Sequence, residues 1–115
     1  MNDSILNTIK KLLGISSAYT EFDADIIIHI NSVFSILQQL GVGPDNGFSI
    51  TDSTTTWSNY INNEKILNVV ISYMYLHVRR LFDPPTNSAI LNAQEQMIKE
   101  YEWRLNVAVD NGTNN

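Results

Sequence analysis

The stretch EKILNVVISYMYLHVRRLFDPP, residues 64–85, sets Leu67, Val70, Ile71, Met74, Val78 and Leu81 three and four positions apart. With about 3.6 residues per turn, that spacing brings them onto one face of an amphipathic helix. Asp83-Pro84-Pro85 must end it, because proline has no amide hydrogen and the residue before a proline avoids helical angles. A long central helix over about Glu64–Phe82 is therefore predicted, followed by a sharp corner.

Downstream of the corner, Thr86 or Ser88 offers a side-chain oxygen to cap a further helix running to about Val107. Leu91, Ile98 and Leu105 repeat at heptad spacing along it, with Gln94, Met97 and Tyr101 beside them. Residues 108–115 read as a polar tail. Upstream, the composition between Gly41 and Thr56 turns to Gly, Pro, Asp, Asn, Ser and Thr, and Pro44-Asp45-Asn46-Gly47 is a strong turn signal. This is a loop, within which the alternation Phe48-Ser49-Ile50-Thr51 predicts a short extended segment, a strand completed by a neighbouring subunit.

Before the loop, Phe22, Ile26, Ile27, Ile30, Val33, Phe34, Leu37 and Leu40 form another helical stripe. Thr20, three residues ahead of Asp23, reads as its N-cap, and Gly41 as its stop, since glycine accepts the left-handed conformation that closes a helix. Ile5, Leu6, Ile9, Leu12 and Leu13 mark a first helix from Asp3 to Leu13, ended by Gly14. The expected fold is thus all-α, a small bundle of about four helices with a long loop between the second and third. One domain spans 1–115, with its core over about 4–107.

Composition narrows the function. The chain has 115 residues, 43% hydrophobic and 17% charged, the balance of a single globular domain. No run approaches the ~18 apolar residues of a membrane span, and Met1-Asn2-Asp3-Ser4 is unlike a secretory leader, so a cytosolic site of synthesis is expected. Without cysteine there is no disulfide, thiolate metal site or cysteine nucleophile. The formal charge of −5 opposes phosphate binding. Protein partners are favoured over nucleic acid.

Chemical signatures are lacking. His29 lies at helical spacing from Phe22, Ile26, Val33 and Ile36, which suits a hydrogen-bonded core or interface histidine, and His77 is read the same way beside Arg79 and Arg80. Glu21, Asp23 and Asp25 sit where carboxylates offset the positive end of a helix dipole. Gly41-Val42-Gly43 follows a helix rather than a strand, and the Ser and Thr of 49–56 lack a nucleophile elbow. No catalytic, cofactor-binding or metal-ligating residue is assigned. The candidates are for partner contact: Phe48, Ile50, Trp57 and Tyr60 in the loop 41–60, the cations Arg79 and Arg80, Trp103 of the last helix, and Asp110 of the tail.

Three segments carry a family resemblance. Lys11-Leu12-Leu13-Gly14-Ile15 precedes the helix start Asp23-Ala24-Asp25. Tyr75-Leu76-His77-Val78-Arg79-Arg80-Leu81-Phe82-Asp83-Pro84-Pro85 closes the long helix, and Glu100-Tyr101-Glu102-Trp103-Arg104-Leu105-Asn106 closes the last. Over about residues 4–107 this order resembles the head–tail connector, adaptor or head-completion proteins of long-tailed bacteriophages and prophages. The resemblance implies a structural, non-enzymatic protein without cofactors, assembled in the host bacterial cytoplasm into the virion. It implies a closed cyclic ring of about a dozen copies. The ring would dock below the portal protein, meet a downstream neck or tail-completion protein, and let genomic DNA pass without specific binding. The alternatives are a cytosolic protein-binding adaptor and a small DNA-binding regulator. The regulator lacks the basic recognition helix such domains show.

Overall fold

Caps supplied by short polar side chains decide where the helices begin. The structure, a computed structural model, describes residues 2–110. It contains α1 (Ile5–Leu12), α2 (Asp23–Gln39), α3 (Glu64–Phe82) and α4 (Ser88–Asp110), with a 3-10 turn at Trp57–Asn59. Ser4 Oγ accepts from the Asn7 amide at 3.2 Å, and Asn63 Oδ1 from the Ile66 amide at 3.2 Å. Each satisfies a donor that has no partner within its own helix.

Two helices end as their glycines predict. Gly14 and Gly41 have φ of 83° and 87°. The Ile15 amide donates back to Lys10 O at 2.8 Å and the Val42 amide to Leu37 O at 2.9 Å, closing each helix through a left-handed residue.

Several boundaries differ from the sequence reading, each for a local reason. The first helix starts at Ile5 rather than Asp3, because the Asp3 carbonyl accepts from the Trp57 amide at 3.2 Å and is held to the loop. Thr20 does not cap α2. Phe22 occupies the cap position without a side-chain bond, and the Asp23 carboxylate is drawn instead to Lys10 Nζ at 2.8 Å. Neither Thr86 nor Ser88 caps α4; Asn87 Oδ1 accepts from the Ala89 and Ile90 amides at 2.8 and 3.3 Å.

The last helix also continues to Asp110, past Val107, because Ala108 and Val109 still pack against the core. The predicted tail is therefore helical over 108–110, and its remainder, 111–115, lies outside the described residues.

α3 is the axis of the bundle, touching α1, α2 and α4. Contact on several sides explains why Ile66, Tyr73 and Leu76, off the predicted stripe, are buried together with Leu67, Val70, Met74 and Val78. Ile5, Leu6 and Ile9 of α1 and Ile26, Ile30, Val33 and Leu37 of α2 complete the interior, whereas α4 contributes only Ile98 and Leu105 as fully buried residues. Phe22 and Leu81, both placed on buried stripes by their spacing, are 39% and 55% exposed. Each sits in a terminal turn, where no further helix covers the stripe.

The extended segment 48–51 forms no strand, and no strand occurs among the described residues; the sole bridge there pairs Ser4 with Thr56. A side chain takes the neighbouring strand's place. Asn31 Oδ1 accepts from the Ile50 amide at 2.8 Å, and Asn31 Nδ2 donates to the Ile50 carbonyl at 3.0 Å. One primary amide satisfies both backbone groups and lets Ile50 be buried without a ladder.

Candidate functional site

The loop candidates are occupied inside the chain. Ile50, Trp57 and Tyr60 are 2%, 1% and 3% exposed, and Phe48 is half-buried. Phe34, Phe48 and Tyr60 form a triangle of rings with centroids 4.7–5.0 Å apart, in tilted and edge-on arrangements that suit the ring quadrupoles. Trp57 Nε1 donates to Thr8 Oγ1 at 3.1 Å, tying the loop to α1. Burial pushes the Tyr60 hydroxyl far above its ordinary pKa, so it stays protonated. The loop is a plug for the open end of three helices, and its aromatics are interior rather than outward-facing anchors.

The cations are half-buried and engaged. Arg79 Nε donates to the Asp83 carbonyl at 2.7 Å and Arg80 lies 4.0 Å from Glu95, so the first secures the end of α3 and the second bridges to α4. Both reinforce the corner made by Pro84 and Pro85. Of the eight candidates only Trp103, 66% exposed, and Asp110, at the end of α4, stand fully on the surface.

Two features were not foreseen from spacing. Lys10 is 1% exposed although charged, and its ammonium donates to the Ser17 and Tyr19 carbonyls at 3.2 and 2.7 Å while pairing with Asp23. It fixes the 14–22 connection over α1. That connection in turn sets Tyr19 and Phe22 with Phe82 in a row of rings, centroids 5.6 and 5.3 Å apart, on the surface at the end of α3. The signal for Lys10 was its position beside Ile9 and one turn after Leu6, on the edge of the apolar stripe.

Between α3 and α4 lies a polar seam. Tyr73 O–H donates to Glu102 Oε2 at 2.7 Å, and the Tyr73 and His77 rings meet edge to face at 4.7 Å. Burial, reinforced by the Glu102 carboxylate, raises the Tyr73 hydroxyl well above its usual range. His77 is held below its ordinary 6.5, chiefly by burial; the Glu102 carboxylate opposes this and Arg80 adds to it. The seam aligns α4 on α3. His29 is on α2 and His77 on α3, and among the described residues no three His, Cys, Asp or Glu side chains converge to hold a metal.

An open groove between the start of α3 and the end of α4 is lined by Asn63, Glu64, Lys65, Ile66 and Val69 on one side and Arg104, Leu105, Val107 and Ala108 on the other.

Comparison with known families gives the chain its family. The profile of the phage connector proteins matches residues 5–112, from the first residue of α1 through all four helices. The chain belongs to the phage connector protein family. The match takes in all three of the segments that carry the resemblance. A phage connector has a structural role and associates with the head and tail proteins of its phage. No curated protein and no solved structure matches this connector chain. No helix among the described residues is long and apolar enough to cross a membrane.

Proposed function

We propose that this connector is one subunit of a closed ring seated below the portal at the head–tail junction, where it prolongs the DNA exit channel and offers a platform to the next neck or tail-completion protein. The observation that carries this reading is the family match across residues 5–112, which takes in all four helices. The ring holds about a dozen copies related by a cyclic operator. The chain works by binding alone, without cofactor or catalysed reaction, and its place is the virion, reached by assembly in the host bacterial cytoplasm.

Charge supports the DNA-facing part of the proposal. A net −5 spread over a 115-residue subunit is multiplied in a ring, and an acidic lumen repels phosphates, so packaged DNA slides past instead of sticking. Trp103 and Asp110 on the surface, with the half-buried Arg79 and Arg80, are the residues offered to neighbours, portal or tail.

Deleting the gene in its phage and imaging the lysate tests the reading. DNA-filled heads lying apart from finished tails are expected; normal virions would end it.

A further inference from the structure

Two surfaces of this chain are unlike one another and complementary. The outer face of α4 carries Trp103, 66% exposed, and Val107 one turn on, 36% exposed, with Met97 and Ile90 exposed elsewhere on the helix; Lys99 and Glu100, both exposed, lie one turn before the indole, and Glu100 is paired with Arg104 at 2.7 Å. A large aromatic held out to water, with a cation one turn away, has the make-up of an interface anchor. The second surface is the row of Tyr19, Phe22 and Phe82. Tyr19 and Phe22 are 47% and 39% exposed, and the carboxylates that flank Phe22 in sequence, Glu21 and Asp25, are exposed, Glu21 accepting from the Tyr19 hydroxyl at 2.9 Å.

The two cannot meet within one chain. Tyr73 bonds Glu102 and Arg80 approaches Glu95, so α4 runs antiparallel to α3. Trp103 is then level with Tyr73, whereas Phe82 closes α3 nine residues further along, about 14 Å at 1.5 Å per residue. Trp103 also points away from α3, being on the face opposite Ile98 and Leu105. A surface that bears an aromatic plug with a positive neighbour, and another that bears an aromatic ledge with negative neighbours, on different faces of one subunit, are what a heterologous head-to-tail contact requires.

We propose that Trp103 of one copy seats on the Tyr19–Phe22–Phe82 ledge of the next copy, with Lys99 set against the neighbour's Glu21 and Asp25. The occupant of the ledge is thus a second copy of this chain, and repetition of the contact closes a ring. The inference rests on the ring reading above and adds the pair of faces that meet.

Because the chain has no cysteine, engineered ones report cleanly. Virions made by a deletion phage complemented with the Lys99→Cys/Glu21→Cys double variant, oxidised and run without reductant, are expected to give a ladder of covalent multimers. Each single variant should remain monomeric. Both positions are exposed, so folding is preserved, and a thermal melt matching wild type confirms it. Monomers alone from virions that contain the chain would overturn the pairing while leaving the ring reading intact. Dimers from Lys99→Cys alone would show a symmetric Trp103 contact and overturn it too. Absence of the wild-type chain from virions would sink both readings. As an independent arm, Lys99→Glu and the combined Glu21→Lys/Asp25→Lys should each cut infectious yield at least tenfold, and joining them should restore it; no restoration contradicts the pairing.

Discussion

Replacing Lys10 tests the tertiary argument most sharply, since the residue is charged yet only 1% exposed. Lys10→Ala removes the donor to the Tyr19 and Ser17 carbonyls at 2.7 and 3.2 Å and the ion pair to Asp23 at 2.8 Å. Hydrogen bonds to a charged group contribute about 1.5–3 kcal/mol each, and a partner left without its counterpart loses more. The Asp23 side chain is 25% exposed, so water recovers part of that loss, and a net cost of about 2–4 kcal/mol follows. At about 2.1 cal/mol/K of unfolding entropy per residue, a 115-residue chain should melt about 8–16 °C lower. Lys10→Met keeps the buried methylene stem, and should recover only the packing share. A calorimetric melt of both, with Asp23→Asn as the third corner of a double-mutant cycle, makes the measurement. A fall of less than about 3 °C for Lys10→Ala, or additivity of Lys10→Ala with Asp23→Asn, would refute the buried tie between α1 and α2.

Leu67→Ala and Met74→Ala should each cost about 2–5 kcal/mol in urea titrations, because both side chains are buried on the axis helix and leave cavities. Asn31→Ala should cost about 1–3 kcal/mol and speed amide exchange at Ile50, whose two backbone groups lose their partner. His77 predicts a pH dependence. Its folded pKa lies below the unfolded value near 6.5, so the folded state binds fewer protons there; stability is full above about 6.5 and falls on acidification towards the folded value. The loss in melting temperature between about pH 7.5 and 5.5 should be smaller in His77→Gln, and an equal loss would show that His77 is not involved.

Periodicity carried the α-helical architecture because each helix buries one stripe, and the signal was strongest where flanking chemistry agreed: Asp83-Pro84-Pro85 fixed one end of α3 to the residue, and Gly14 and Gly41 closed α1 and α2. Prediction failed where a side chain answered a distant partner. Asp23 was read as a helper of its own helix end and is claimed by Lys10; Phe48-Ser49-Ile50-Thr51 had the alternation of a strand, but Asn31 already supplies the backbone bonds a strand would need. The loop aromatics Trp57 and Tyr60 looked like anchors for a partner because nothing in local sequence says that the helices leave an opening for them to fill. The exposure of Trp103 was legible in the polar neighbours Lys99, Glu100 and Asn106 on α4. The ledge of Tyr19, Phe22 and Phe82 was not, because it joins residues about sixty positions apart through the corner that Lys10 holds.

The junction role itself is tested most directly by reconstitution. Filled heads and free tails from a lysate lacking the gene, mixed with the purified chain, should yield infectious particles in proportion to the chain added, with the protein retained at the neck under the microscope. If the heads and tails join equally well without it, or the added chain never enters the particles, the connector account is wrong.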